Sequence, residues 1–170
     1  MISQNFNSAK RGHKSGQKAL YNELSPLILS VCLRYQVDNG EAEDVMIKAM
    51  YKILTRLDQV KDAALLKAWA IRIAVNESLM SLRKNNLEWA ALNEETMNGA
   101  IGNSDTHGAD HLLFLISKMP SGYRAVFNLV ELDGYTHAEA AQLLQITVGT
   151  SKSQLSRAKA WLQNKINGHG

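Results

Sequence analysis

Six residues near the end of the chain, Thr150, Lys152, Ser153, Gln154, Ser156 and Arg157, bring short hydroxyls, an amide and two cations into one short stretch. These are groups that read nucleic acid. Arg and Gln reach base edges, while Lys and Ser bond phosphate oxygens. On a helix advancing about 100° per residue, Val148, Ser151, Leu155, Ala158 and Leu162 fall on one side, which the pattern predicts to be buried. Thr150, Ser153, Gln154 and Arg157 fall opposite, with Lys152, Ser156 and Lys159 on a flank. Short side chains let such a helix sit deep in a DNA major groove. The same pattern also fits an amphipathic helix with a merely solvated polar face.

Catalytic chemistry finds little support. No glycine-rich phosphate loop is present, and His137 and Glu139 lie two apart rather than in the HExxH spacing of a zinc site. The five histidines, His13, His107, His111, His137 and His169, are scattered, and His107 and His111 read as exposed polar residues. We therefore expect no enzyme, no catalytic residue, no metal, no cofactor and no small-molecule substrate. Cys32 is the only cysteine, which excludes an intrachain disulfide. Its run, "LILSVCL", marks it as a small buried residue.

The elements that must position the terminal stripe are helical throughout. A first helix is expected from about Ser15 to Gln36, with Leu20, Leu24, Leu27, Ile28 and Val31 inward and Pro26 kinking or dividing it. Asp38 to Gly40 makes a turn. A second helix, Glu41 to Leu57, carries acids in its first turn and an apolar stripe of Val45, Ala49, Ile53 and Leu57. A third, about Asp62 to Asn85, carries Leu65, Leu66, Trp69, Ile73 and Leu82. Gly, Asn and acids then replace the periodic pattern, as in a linker. From Ala109 the helices return. "HLLFLISKM" precedes Pro120, and "SGYRAVFNLVEL" ends at Asp133-Gly134. Thr136 and Glu139 have capping-box spacing, so a short helix should run from His137 to about Leu144. A break at Gln145 to Thr147 then leads into the last helix, with Thr147 as its cap. Short helix, tight turn and longer helix together are the helix-turn-helix layout.

The expected fold is all-α. Two small helical domains, an N-terminal bundle over 1–90 and a C-terminal four-helix domain with a helix-turn-helix over 109–170, are joined by a flexible acidic linker at 91–108. Charge follows the same division. Met1 to Asn85 carries thirteen Lys and Arg against eight Asp and Glu, a net of +5. Asn86 to Asp110 carries five acids and no Lys or Arg, and His111 to Gly170 returns to +3. Basic arms suit nucleic acid, although solvated helix faces carry similar charge. The N-terminus has no signal-peptide core, and no stretch reaches the roughly 18 apolar residues that a membrane helix needs. A soluble cytoplasmic protein without direct membrane insertion is expected.

With these elements in place, the chain resembles the bacterial RNA polymerase sigma factors of the extracytoplasmic-function group. In the C-terminal arm the resemblance rests on Met119-Pro120, Tyr123-Arg124, Asp133-Gly134 and Glu139-Ala140-Ala141. It continues through Gly149-Thr150-Ser151-Lys152-Ser153 and Ser156-Arg157-Ala158-Lys159. In the N-terminal arm "AEDVMIKAMYKIL" and "LLKAWAIRIAVNESLMSLRK" are similar to the family's stretches in the same order. The resemblance spans Ala19 to Ile166.

The resemblance implies a non-catalytic protein that binds core RNA polymerase and directs promoter-specific transcription initiation. An anti-sigma factor is the expected regulator. It assigns reading of the minus-thirty-five element to the terminal helix, through Thr150, Lys152, Ser153, Gln154, Ser156 and Arg157. By position it places Arg72, Asn76 and Met80 against the melted minus-ten strand, with Arg72, Arg83 and Lys84 holding phosphates. It places Asp44, Ile47 and Lys48 on the helix that meets the polymerase clamp. Trp69 is expected in the core, since it shares a stripe with Leu66 and Ile73.

The chain departs from the family pattern in three places. Ile47-Lys48 stands where Gln-Glu is common, Met80 where Asp or Asn is common, and Ser151 where Val is usual. The last weakens the buried stripe by on the order of 1–2 kcal/mol. A diverged sigma-like chain, or another helix-turn-helix regulator that does not initiate transcription, is the alternative reading.

Overall fold

A computed structural model describes residues 2–36, 38–85 and 108–168. Among these the chain is helical and has no strand. It divides into two compact units, Met1–Ser81 and Leu82–Gly170. The expected linker, 91–108, lies outside the described residues except for Gly108.

The first unit holds α1 (Ile2–Lys10), α2 (Lys14–Tyr35), α3 (Asn39–Thr55) and most of α4 (Leu66–Asn85). Leu20, Leu24, Ile28, Val31 and Tyr35 of α2 are buried, and so are Val45, Ala49, Met50 and Ile53 of α3. Asp38 starts α3 by accepting from the Glu41 amide at 3.0 Å, which satisfies one of the first-turn donors. An ion pair between Lys52 and Glu77 ties α3 to α4. Cys32 is fully buried, and burial pushes its thiol up to about 11.

Three expectations change here. The chain before Lys14 forms a helix, α1, held by Phe6 and Ala9, which are 2% and 3% exposed. It stops where Gly12 takes φ +82. There the Gly12 amide donates to Ala9 O and the His13 amide to Ser8 O, an ending that favours glycine. Pro26 does not divide α2, which runs unbroken from Lys14 to Tyr35. Pro26 is exposed, so the carbonyl that loses its amide partner lies on the solvent side. The buried stripe of α4 is Leu66, Ala70, Ala74, Val75, Leu79 and Leu82, while Leu65 is 60% exposed and Trp69 half-buried. The reason is local. Ala63–Leu65 form a 3-10 turn capped by Asp62, so Leu65 precedes the α-helix and its wheel.

The second unit holds α5 (Ala109–Lys118), α6 (Ser121–Phe127), α7 (His137–Leu144) and α8 (Val148–Asn167). Every residue from Gly122 to Phe127 is buried, which makes α6 the centre of this unit. Where the sequence pattern predicts one helix to Leu132, the chain widens into a π segment over Asn128–Leu132. It closes with the Asp133 amide donating to Asn128 O at 2.8 Å. Arg124 is 1% exposed and donates from Nη1 to Ser117 O at 2.7 Å. That carbonyl lies in the last turn of α5, where the helix dipole favours a cation. Burial pushes the guanidinium down to about 10, which leaves it charged at neutral pH.

Candidate nucleic-acid interface

The helix-turn-helix forms as its caps require. The Thr136 amide donates to Glu139 Oε2 at 2.8 Å and the Glu139 amide to Thr136 Oγ1 at 3.2 Å, a complete capping box. α7 ends at Gln145, the one non-glycine among the described residues with positive φ, at φ 57 and ψ 42. That left-handed residue makes the tight turn. Thr147 then caps α8 by accepting from the Thr150 amide at 3.0 Å. Ala140 and Ala141 are buried, and their small size admits the close crossing of α7 and α8.

On α8 the buried residues are Ser151, Gln154, Leu155, Ala158, Trp161 and Leu162. Gln154 is thus a correction. It is only 7% exposed, and it does not belong to the outward stripe. It sits four residues before Ala158 and seven before Trp161, and the large Trp161 ring draws the buried arc round to include it. Val148, expected inside, is 42% exposed at the other edge of that arc. Gly149, Ser153, Ser156 and Ala160 occupy the solvent side, with exposed Lys152 and Lys159 on one flank and exposed Arg157 on the other. Small residues at the centre and cations at the edges suit close approach to a polyanion. Thr150 is half-buried, and its hydroxyl shares a hydrogen bond with Thr147 at 2.9 Å. Ser153 donates to Thr150 O at 3.0 Å. Lys159 pairs with Glu131 at 2.7 Å. Ser151 is fully buried and shares a 2.9 Å hydrogen bond with His137 Nδ1, so a hydroxyl at this position has a partner inside the unit.

In the first unit Arg72, Asn76 and Met80 are all exposed, Met80 by 55%. Trp69, Arg72, Asn76, Met80 and Arg83 follow one another at spacings of three and four, which places them on one side of α4. Arg83 is half-buried, and exposed Lys84 lies beside this stripe. At its N-terminal end opens a cavity of about 410 Å³ lined by Val60, Lys61, Leu65, Trp69 and Arg72, among others. Sequence reasoning missed it, because it depends on the 3-10 turns that leave Leu65 outside the core. The available signal was Trp69 three residues before Arg72.

Asp44, Ile47 and Lys48 are exposed on α3, Ile47 by 55%. Tyr51, also missed, is 70% exposed and extends that face by one turn. The outward side of α3 is therefore both apolar and charged. None of the described residues forms a cluster of three or more His, Cys, Asp or Glu fit to hold a metal ion. No described helix is long and apolar enough to cross a membrane.

Two helical units, one ending in a helix-turn-helix whose last helix presents small residues between cations, define a DNA-binding protein class. Comparison with known proteins narrows this. Residues 20–88 match the model of sigma-70 region 2, and residues 110–162 match that of sigma-70 region 4. The chain is 26% identical over 175 residues to the ECF RNA polymerase sigma-E factor of Escherichia coli strain K12, covering 92% of this chain and 91% of that protein. It is 24% identical over 181 residues to the ECF RNA polymerase sigma factor SigW of Bacillus subtilis strain 168, covering 98% and 97%. Among solved structures it is similar in fold to the sigma factor RpoE of Bartonella quintana in complex with the anti-sigma factor NepR. That match has a TM-score of 0.56 and 22% identity, and covers 88% of this chain and 96% of the other. CnrH in complex with the cytosolic domain of CnrY gives a TM-score of 0.55 at 18% identity, with full coverage of both chains. The chain belongs to the sigma-70 family of RNA polymerase sigma factors, in its extracytoplasmic-function group.

Proposed function

We propose that this chain binds core RNA polymerase and directs it to promoters through two separate contacts with DNA. The observation that carries the reading is the pair of matched regions, 20–88 and 110–162, in one chain and in the family's order. Residues 1–90 serve as the polymerase-binding and minus-ten unit, 109–170 as the minus-thirty-five unit, and 91–108 as the connection between them. The protein performs no catalysis of its own and works in the cytoplasm beside the polymerase.

The stripe on α8 enters the major groove at the minus-thirty-five element. Arg157 reaches base edges, Lys152 holds backbone phosphate, and Ser153 and Ser156 allow the close approach. Gln154 packs inside the unit and supports α8 without touching DNA. On α4 Arg72 and Asn76 face the melted minus-ten strand, and Arg83 and Lys84 lie along its phosphates. A base turned out of that strand enters the cavity beside Arg72 and stacks on Trp69, a contact worth about 1–3 kcal/mol. Met80 adds an apolar surface further along. Asp44, Ile47, Lys48 and Tyr51 form the face of α3 that docks on the polymerase clamp. An anti-sigma factor holds the chain inactive, in keeping with the anti-sigma factor NepR bound to the similar RpoE.

The test is transcription in vitro with core polymerase on genomic fragments. Promoter-specific transcripts are expected with the native chain. Their yield should fall about tenfold with Arg157→Ala, the size of one good base contact. Equal yields would remove α8 from promoter reading, and failure of the chain to co-elute with the polymerase would leave the alternative, a regulator that does not initiate.

A further inference from the structure

The cavity beside Arg72 is walled on one side by a segment with no regular helix of its own. Leu57–Gln59 and Ala63–Leu65 are single 3-10 turns, and Val60–Asp62 joins them. Such a segment has few internal hydrogen bonds to fix its shape. Inside it the Val60 amide closes the first turn onto Leu57 O, and Asp62 caps the second. The Val60 carbonyl accepts from Lys10 Nζ at 2.7 Å, across fifty positions of sequence. Lys10 is the last residue of α1. Its ammonium also lies over the Phe6 ring at 5.4 Å from the centroid, and Phe6 is buried. The base of α1 is fixed in turn by its crossing with α2 at Gly16. A Cβ there would stand 2.5 Å from Ser8 Oγ and 2.6 Å from the Ala9 nitrogen.

We propose that α1 is a brace for the minus-ten cavity, and that Lys10, by holding the Val60 carbonyl, is a positioning residue for base selection. This rests on the reading of the cavity as the place of a turned-out base. Val60 is 3% exposed, so its side chain anchors the segment inward while its carbonyl is clamped from the side of α1. With both ends of that residue fixed, Lys61 and Leu65 keep a constant distance from Trp69 and Arg72, and the cavity keeps one width. A cavity of constant width discriminates between bases, whereas a loose wall accepts several.

The experiment uses holoenzyme assembled from core polymerase and the full chain, transcribing a promoter library randomised across the minus-ten element. Sequencing of the transcripts gives the base preference at each position. Lys10→Met keeps the apolar stem and removes the donor, whereas Lys10→Arg keeps a donor. Lys10→Met is expected to flatten the preference at one minus-ten position by about fivefold, the net worth of one ordinary hydrogen bond. Co-elution with core polymerase should be unchanged, and Lys10→Arg should retain most of the preference. A native preference profile with Lys10→Met overturns the proposal, even if the melting temperature falls, because the contact would then be structural only. Trp69→Ala separates the two layers. If it flattens the profile while Lys10→Met does not, the cavity stands and the brace fails. If Trp69→Ala also leaves the profile native, the cavity reading fails and the brace with it.

Discussion

Gln154 and Arg124 show what a side chain's type says and what it leaves open. A glutamine among serines and cations reads as a base-reading group, yet its amide is buried in the second unit. The periodic pattern misplaces it, because Leu155 and Leu162 set the buried side of the wheel and the large Trp161 ring widens that side. Arg124 sits in a Tyr-Arg pair of the family pattern, and its charge alone suggests a surface. Instead it is buried and caps α5 through the Ser117 carbonyl. We predict that Arg124→Ala destabilises the protein by about 3 kcal/mol, through a cavity and the loss of the charged hydrogen bond to the Ser117 carbonyl. Urea unfolding of the native and variant chains measures this, and a difference below about 1 kcal/mol would mean that the guanidinium is dispensable there. Other residues were legible from type and spacing alone. Thr136, Glu139 and Thr147 cap as expected because a cap depends only on neighbours within one turn.

Helices α2, α3 and α8 were legible because each has several turns of apolar spacing, and such a pattern survives a tertiary context. Helix α1 was not, since nine residues carry only two buried contacts, Phe6 and Ala9, too few to fix a period. The π segment after α6 was equally invisible, because Asn128–Leu132 has the composition of an ordinary helix end. The outward face of α3 shows the value of the element as a unit. Asp44, Ile47 and Lys48 were expected on it, and the helix adds Tyr51 at the next turn, exposed by 70%. Ile47 and Tyr51 are thus an exposed apolar pair, the kind of patch on which an interface can centre. Replacing Tyr51 with Ala is expected to weaken binding to core polymerase about tenfold, the effect of one aromatic anchor, with no change in melting temperature. Competition against labelled native chain reads this directly. Unchanged affinity would move the polymerase contact off α3.

At the scale of the whole molecule, the charge pattern and the two runs of helical periodicity anticipate the two compact units. A promoter with separate minus-ten and minus-thirty-five elements offers two DNA sites, so separate cationic units on one chain can each take one. The two stripes then act on different DNA elements. The most direct test is transcription by holoenzyme from a library randomised at both promoter elements, with native chain, Arg157→Ala and Arg72→Ala compared. We predict that Arg157→Ala erases base preference at the upstream element and leaves the minus-ten profile native. Arg72→Ala should do the reverse. If either substitution alters both profiles alike, or neither changes any, the division of promoter reading between α8 and α4 is contradicted.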